Sequence, residues 1–221
     1  MPGDLIYCSG PMFSPGDMYD QQQVATALES AGYTTYLPQR DGIEIGKIMA
    51  LLKNPIVEAT FFTKLVTLVQ KAGFSMDIYQ LVENSRAVVF NMDGRVPDEG
   101  SVVEATIAYM TGLPLVIYKD TPITAMGNFD NCMLTGLSTT WQYAETYDAI
   151  PPALKARLAD PTNAGYTLTP PPHVAAVCDA GKKVQDLHDT IKQITAAGLS
   201  GPELLKALAE LVAALEAIWK S

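Results

Sequence analysis

The chain has 221 residues, 48% hydrophobic and 18% charged, a globular composition sized for one α/β domain with a modest appendage and too apolar for disorder. Its formal net charge of -9 argues against wrapping nucleic acid or docking on an anionic membrane, because both need clustered Lys and Arg. Three scattered cysteines (Cys8, Cys132, Cys178) with no CxxC, and two late histidines (His173, His188), exclude a disulfide framework, a zinc site and a His-dependent triad, and suit a cytoplasmic protein.

The opening residues, MPGDLIYCSG, lack the basic start and long apolar stretch of a signal peptide. No run reaches about 18 uninterrupted apolar residues, so no transmembrane helix is expected. Residues 5–8 form an apolar run that stops at Ser-Gly-Pro, which predicts a buried first strand ending in a loop. Residues 18–31 carry helical spacing at Val24, Ala27 and Leu28 and close on Gly32. A second strand follows at 33–37, stopped by Pro38. Helices are predicted at 43–52 and 56–72, the latter closed by Gly73, with Ser75 capping another that runs to about residue 85. The run AVVFNM at 87–92 is the clearest buried strand. A helix at 98–111 closes on Gly112, LPLVIY at 113–118 is the next strand, and 139–142 is a candidate fifth.

Strands alternating with helices predict a single flavodoxin-like or Rossmann-like doubly wound domain with a five-stranded parallel sheet over residues 1–145. Residues 146–221 read as a linker and C-terminal helical extension. The stretch 151–172 is rich in Pro, Ala and Asp and ends in PPP. Helices are predicted at 178–194 and 201–220, the second amphipathic, with Ser200 as its cap and Pro202 in its first turn. The extension is expected to add a helical layer or an oligomer contact. In such sheets the ligand crevice lies at the carboxyl ends of the strands, so the residues after Cys8, Leu37 and Met92 should converge.

Three carboxylates follow that logic: Asp77 before the strand 87–92, Asp98 in the loop after it, and Glu104 in the early turns of the next helix. A carboxylate near a helix start is stabilised in its ionised form, which a nucleophile toward a sugar requires. Glu104 sits among Val102, Val103, Ala105, Ile107 and Ala108. It is either a solvated helix-start acid or a buried, partnered nucleophile, and periodicity alone leaves both open.

Four segments in order resemble the nucleoside 2-deoxyribosyltransferases: IYCSGPMF at 6–13, LPQRDG at 37–42, MDGRVPDEGSVVEATIA at 92–108 and NFDNCML at 128–134. Together they span about residues 5–143; nothing after about 145 has a counterpart in that family. The resemblance implies that Glu104 forms a covalent deoxyribosyl-enzyme. It implies that Asp77 handles the proton on the leaving base, that Asp98 bonds the sugar hydroxyls, and that Tyr7 orients the nucleophile. By the same resemblance Gln39 reads the base, with Arg40 and Asp41 nearby. The resemblance also implies that Asn131 is lent by a neighbouring subunit to the 5′-hydroxyl, so a dimer-based homo-oligomer is expected.

Plainer roles stand beside these. Asp77 could complement a helix dipole, Tyr7 could be a core tyrosine, and Asp98 could be an N-cap. Asn131 could be a turn residue, Gln39 a solvated loop residue, and Asp93 turn chemistry. Gly10, in the Ser9-Gly10-Pro11 turn, is a candidate for holding the sugar. Met12 and Phe13 are candidates for an apolar wall against the base. The expected partners are 2′-deoxynucleosides and free nucleobases, with no metal or cofactor required. The chain has no GxGxxG and no Walker loop. Two alternatives are a deoxynucleoside 5′-monophosphate N-glycosidase and a non-catalytic nucleoside sensor. Against the glycosidase, Asp98 would repel a phosphate and the first loop, SGPMFSPGD, carries no Arg.

Overall fold

The computed structural model describes residues 5–52, 58–94, 96–121, 130–163 and 170–220. Ile56, Val57, Arg95, Asn128 and Phe129, which belong to segments singled out above, lie outside the described residues. In chain order the elements are β1 (Leu5–Ser9), α1 (Pro15–Ser30), β2 (Thr34–Tyr36), α2 (Pro38–Asp41), α3 (Ile45–Leu51) and α4 (Ala59–Tyr79). After a π-helical turn at Gln80–Asn84 come β3 (Ser85–Asn91), α5 (Glu99–Met110), β4 (Leu115–Tyr118), α6 (Cys132–Thr135), β5 (Tyr143–Ala144), α7 (Ile150–Ala159), α8 (Pro172–Ala196) and α9 (Gly201–Lys220).

The five strands pair in parallel in the order β2-β1-β3-β4-β5, the flavodoxin-like order, which reverses direction between β1 and β3. β1 and β3 run in register from Ile6 opposite Ala87 to Ser9 opposite Phe90, so the loops that follow them open at the same end of the sheet. Because side chains alternate along a strand, Ile6 and Cys8 turn to one face. There they join Val24, Ala25 and Leu28 of α1 and Ile150 and Leu154 of α7 in the core. Tyr7 and Ser9 turn to the other face, which α5 covers.

Local chemistry explains several element ends. Ser14 caps α1 in a reciprocal box: its hydroxyl accepts from Asp17 N at 3.1 Å and the Asp17 carboxylate accepts from Ser14 N at 2.8 Å. Three expectations are corrected. The fifth strand is not at 139–142 but at Tyr143–Ala144, because Thr139 and Trp141 both hold φ of 59°, which extended pairing forbids. Gly73 does not end a helix, and Ser75 does not begin one. α4 runs through both, and a Cβ at Gly73 would stand 3.2 Å from Ile45 Cδ1, so this glycine serves a close approach to α3.

The third correction concerns the domains. The contacts separate Met1–Pro38 with Gln80–Thr169 from Gln39–Tyr79 with Pro170–Ser221, rather than dividing the chain at residue 145. α7 belongs with the sheet through Ile150 and Leu154. α4 buries Leu65, Leu68, Val69, Ala72 and Met76 and packs with α8 and α9. α9 supplies Leu204, Leu208, Leu211, Leu215 and Ile218, spaced three and four residues apart on one face. No helix among the described residues is long and apolar enough to cross a membrane.

Candidate active site

Glu104 lies in the second turn of α5, on the side facing β1. Tyr7 Oη donates to Glu104 Oε1 at 2.7 Å and Ser9 Oγ donates to Glu104 Oε2 at 2.6 Å. The two donors are i and i+2 on one strand, so a single sheet face presents both hydroxyls to one carboxylate. Ser9 Oγ also lies 3.4 Å from Ser101 O, a longer contact, and the one hydroxyl proton goes to the carboxylate. Tyr7 is fully buried, with its ring 5.3 Å from that of Tyr36.

Burial pushes the Glu104 carboxyl above the usual carboxylate range. The hydroxyl bonds from Ser9 and then Tyr7 pull it down, and the negative charge of Asp98 pushes it up. Burial therefore outweighs the ionising influence expected from the helix start. The result is a carboxylate held on both oxygens by neutral donors. Such a group is oriented without being neutralised, and can serve as a nucleophile or a proton acceptor.

Asp98 is the N-cap of α5. Its Oδ2 accepts from Ser101 N and from Ser101 Oγ, each at 2.8 Å. Oδ1 takes no bond among the described residues. Gly10 follows β1 directly. A Cβ there would lie 1.4 Å from Gln21 Nε2 and 2.8 Å from Asn91 Cβ, so packing alone accounts for the glycine. Met12 is half-buried, but Phe13 is 83% exposed and does not close an apolar wall within the described residues. Asp93 accepts from Thr121 N at 2.8 Å and Thr121 Oγ1 at 3.1 Å, which ties the loop after β3 to the loop after β4.

Asn131 is exposed and caps the short α6, its Oδ1 accepting from Met133 N at 3.0 Å. Gln39 and Asp77 belong to the second unit, where both are half-buried, Gln39 in α2 and Asp77 near the end of α4.

Two residues of this region escaped the sequence reading. Ser9, in the Ser9-Gly10-Pro11 turn, bonds Glu104; its place two residues after Tyr7 was the available signal. Lys119 is buried, with Nζ 3.3 Å from Asp130 Oδ1 and 3.4 Å from Met92 O. It fastens Asp130, next to Asn131, to the carboxyl ends of β3 and β4. A lysine directly after the apolar LVIY run was its signal. Among the described residues no three His, Cys, Asp or Glu side chains gather to hold a metal ion. No known family model matches the chain, and no curated protein sequence matches it.

Proposed function

We propose that this chain moves a 2-deoxyribosyl group between nucleobases, with retention, through a covalent ester on Glu104. The observation that carries the proposal is the Glu104 carboxylate gripped by Tyr7 and Ser9 on the sheet face beneath α5. An oxygen of Glu104 attacks C1′ from the face opposite the base. The C1′–N bond breaks and its electron pair leaves with the base, which takes a proton from the carboxyl of Asp77. An incoming base then gives its proton to Asp77, attacks C1′ and displaces Glu104. Two displacements at one carbon retain configuration and give ping-pong kinetics.

Asp98 Oδ1 suits a sugar hydroxyl, and its charge disfavours a donor phosphate. The roles of Asp77, Gln39 and Asn131, the last supplied by a second copy, rest on the resemblance to the deoxyribosyltransferases.

Incubation with deoxyinosine and adenine tests the proposal. Deoxyadenosine and hypoxanthine should form together in equal amounts, and Glu104→Ala should form neither. Hypoxanthine without deoxyadenosine would instead mark a glycosidase passing the sugar to water, and no product at all would fit a sensor. Normal exchange by Glu104→Ala would remove the nucleophile assignment.

A further inference from the structure

From sequence, the helices after residue 170 are a supporting layer outside the chemistry. Within the second unit, however, α8 grips the short helix that carries Gln39 and the turn just after it. Lys192 Nζ donates to Arg40 O at 3.3 Å, and His188 Nε2 lies 3.1 Å from Gly42 O. Lys192 and His188 are four residues apart and so share one face of α8. The two carbonyls they hold flank Asp41. The charged side chains between them are turned onto each other: Arg40 Nε and Nη2 bond the Asp41 carboxylate at 2.9 to 3.1 Å.

The same helix sets the backbone around Asp77. α8 crosses α4 at Gly181, where a Cβ would stand 2.0 Å from Ser75 O and 2.6 Å from Tyr79 Cβ. Asp77 lies between those two residues in sequence.

We propose that α8 is the positioning element for Gln39 and Asp77, and that Lys192 is a positioning residue that sets affinity for the nucleobase through the helix-end segment 39–42. The proposal rests on the base-exchange function above. A half-buried ammonium on one carbonyl adds little to fold stability. What it does is hold the end of a short polar helix in one conformation, and a segment held in its binding conformation binds more tightly because less order must be imposed on binding. Lys192 should therefore act on base affinity far more than on folding or on cleavage of the sugar–base bond.

The test is Lys192→Met, which keeps the side chain's length and removes its donors, with Lys192→Arg as the conservative variant. The expected result for Lys192→Met is faster amide hydrogen exchange at residues 39–44, a KM for adenine raised about tenfold, which corresponds to about 1.4 kcal/mol, and a kcat within about twofold of the unaltered protein's. Lys192→Arg should restore the KM. His188→Phe, which frees the second carbonyl, should move KM in the same direction. If the unaltered protein exchanges bases and Lys192→Met keeps its KM, the positioning role alone is wrong. A raised KM without faster exchange at 39–44 also overturns it. If the unaltered protein forms no deoxyadenosine, the base-exchange function fails and takes this role with it.

Discussion

At the scale of single residues, Glu104 balances two requirements. Burial raises its carboxyl, while the Ser9 and Tyr7 hydroxyls limit the rise. A nucleophile works only when ionised, so activity should be present above its raised pKa and fall as pH drops through it. Removing a donor should move this acid limb upward, more in Ser9→Ala than in Tyr7→Phe, because the Ser9 bond has the larger influence. Asp98→Asn should move it downward, since the like charge goes while asparagine still caps α5. A pH profile of kcat for the three variants checks the order, and a downward move in Ser9→Ala would refute it. The sign for stability is opposite to that for activity. An acid raised on folding favours the fold below its unfolded pKa, and that contribution is lost as pH rises through the folded value. Glu104→Gln should therefore abolish exchange and raise Tm at neutral pH, by about 2–4 °C for each kcal/mol gained.

At the scale of elements, the crossing of α4 and α8 offers the sharpest contrast. Gly181→Ala drives a methyl group into Ser75 O and Tyr79 Cβ and should cost about 1–3 kcal/mol. Gly46→Ala, at an exposed position in α3 with nothing within 4 Å of the added Cβ, should stabilise by about 0.5–1 kcal/mol. Thermal unfolding of both variants decides whether crowding or propensity rules each site. The same crossing shows what the sequence could and could not reveal. Four strands were legible because short apolar runs stop at polar or turn-forming residues, Lys119 among them, and their parallel pairing followed from the alternating helices. Gly73 looked like a helix stop because glycine's tertiary use, a close approach by Ile45, leaves no local mark. The fifth strand was misplaced because nothing in Thr-Thr-Trp announces positive φ at Thr139 and Trp141. In the site, Tyr7, Asp98 and Glu104 were named through ordered motifs. The bond from Ser9 to Glu104 was not legible, because a serine at the end of a strand reads as a turn until the helix across from it is known.

At the scale of the whole molecule, the chain leaves its first unit after Pro38, returns at Gln80 and leaves again after Thr169. The second unit is thus assembled from two segments separated by the greater part of the sheet. Its core joins α4 to α8 and α9, so the C-terminal helices are half of a core rather than an addition to a finished one. Ending the chain at Thr169 should strip cover from Leu65, Leu68, Val69, Ala72 and Met76 of α4. Each fully buried aliphatic side chain contributes about 1.5–3 kcal/mol by leaving water. Electrostatics would not compensate or confuse the outcome. The removed segment carries five lysines and six acids, so the net charge moves only from -9 to -8. The shortened chain should bind an apolar dye, aggregate on mild warming and lose hydrogen-exchange protection across residues 59–79, while the full chain does none of these. A soluble shortened chain that keeps the full chain's Tm and its protection in α4 would show that α8 and α9 are not the cover this helix needs. Because Asp77 is carried on α4, the same shortening should also abolish base exchange even though Tyr7, Ser9, Asp98 and Glu104 all remain in the chain.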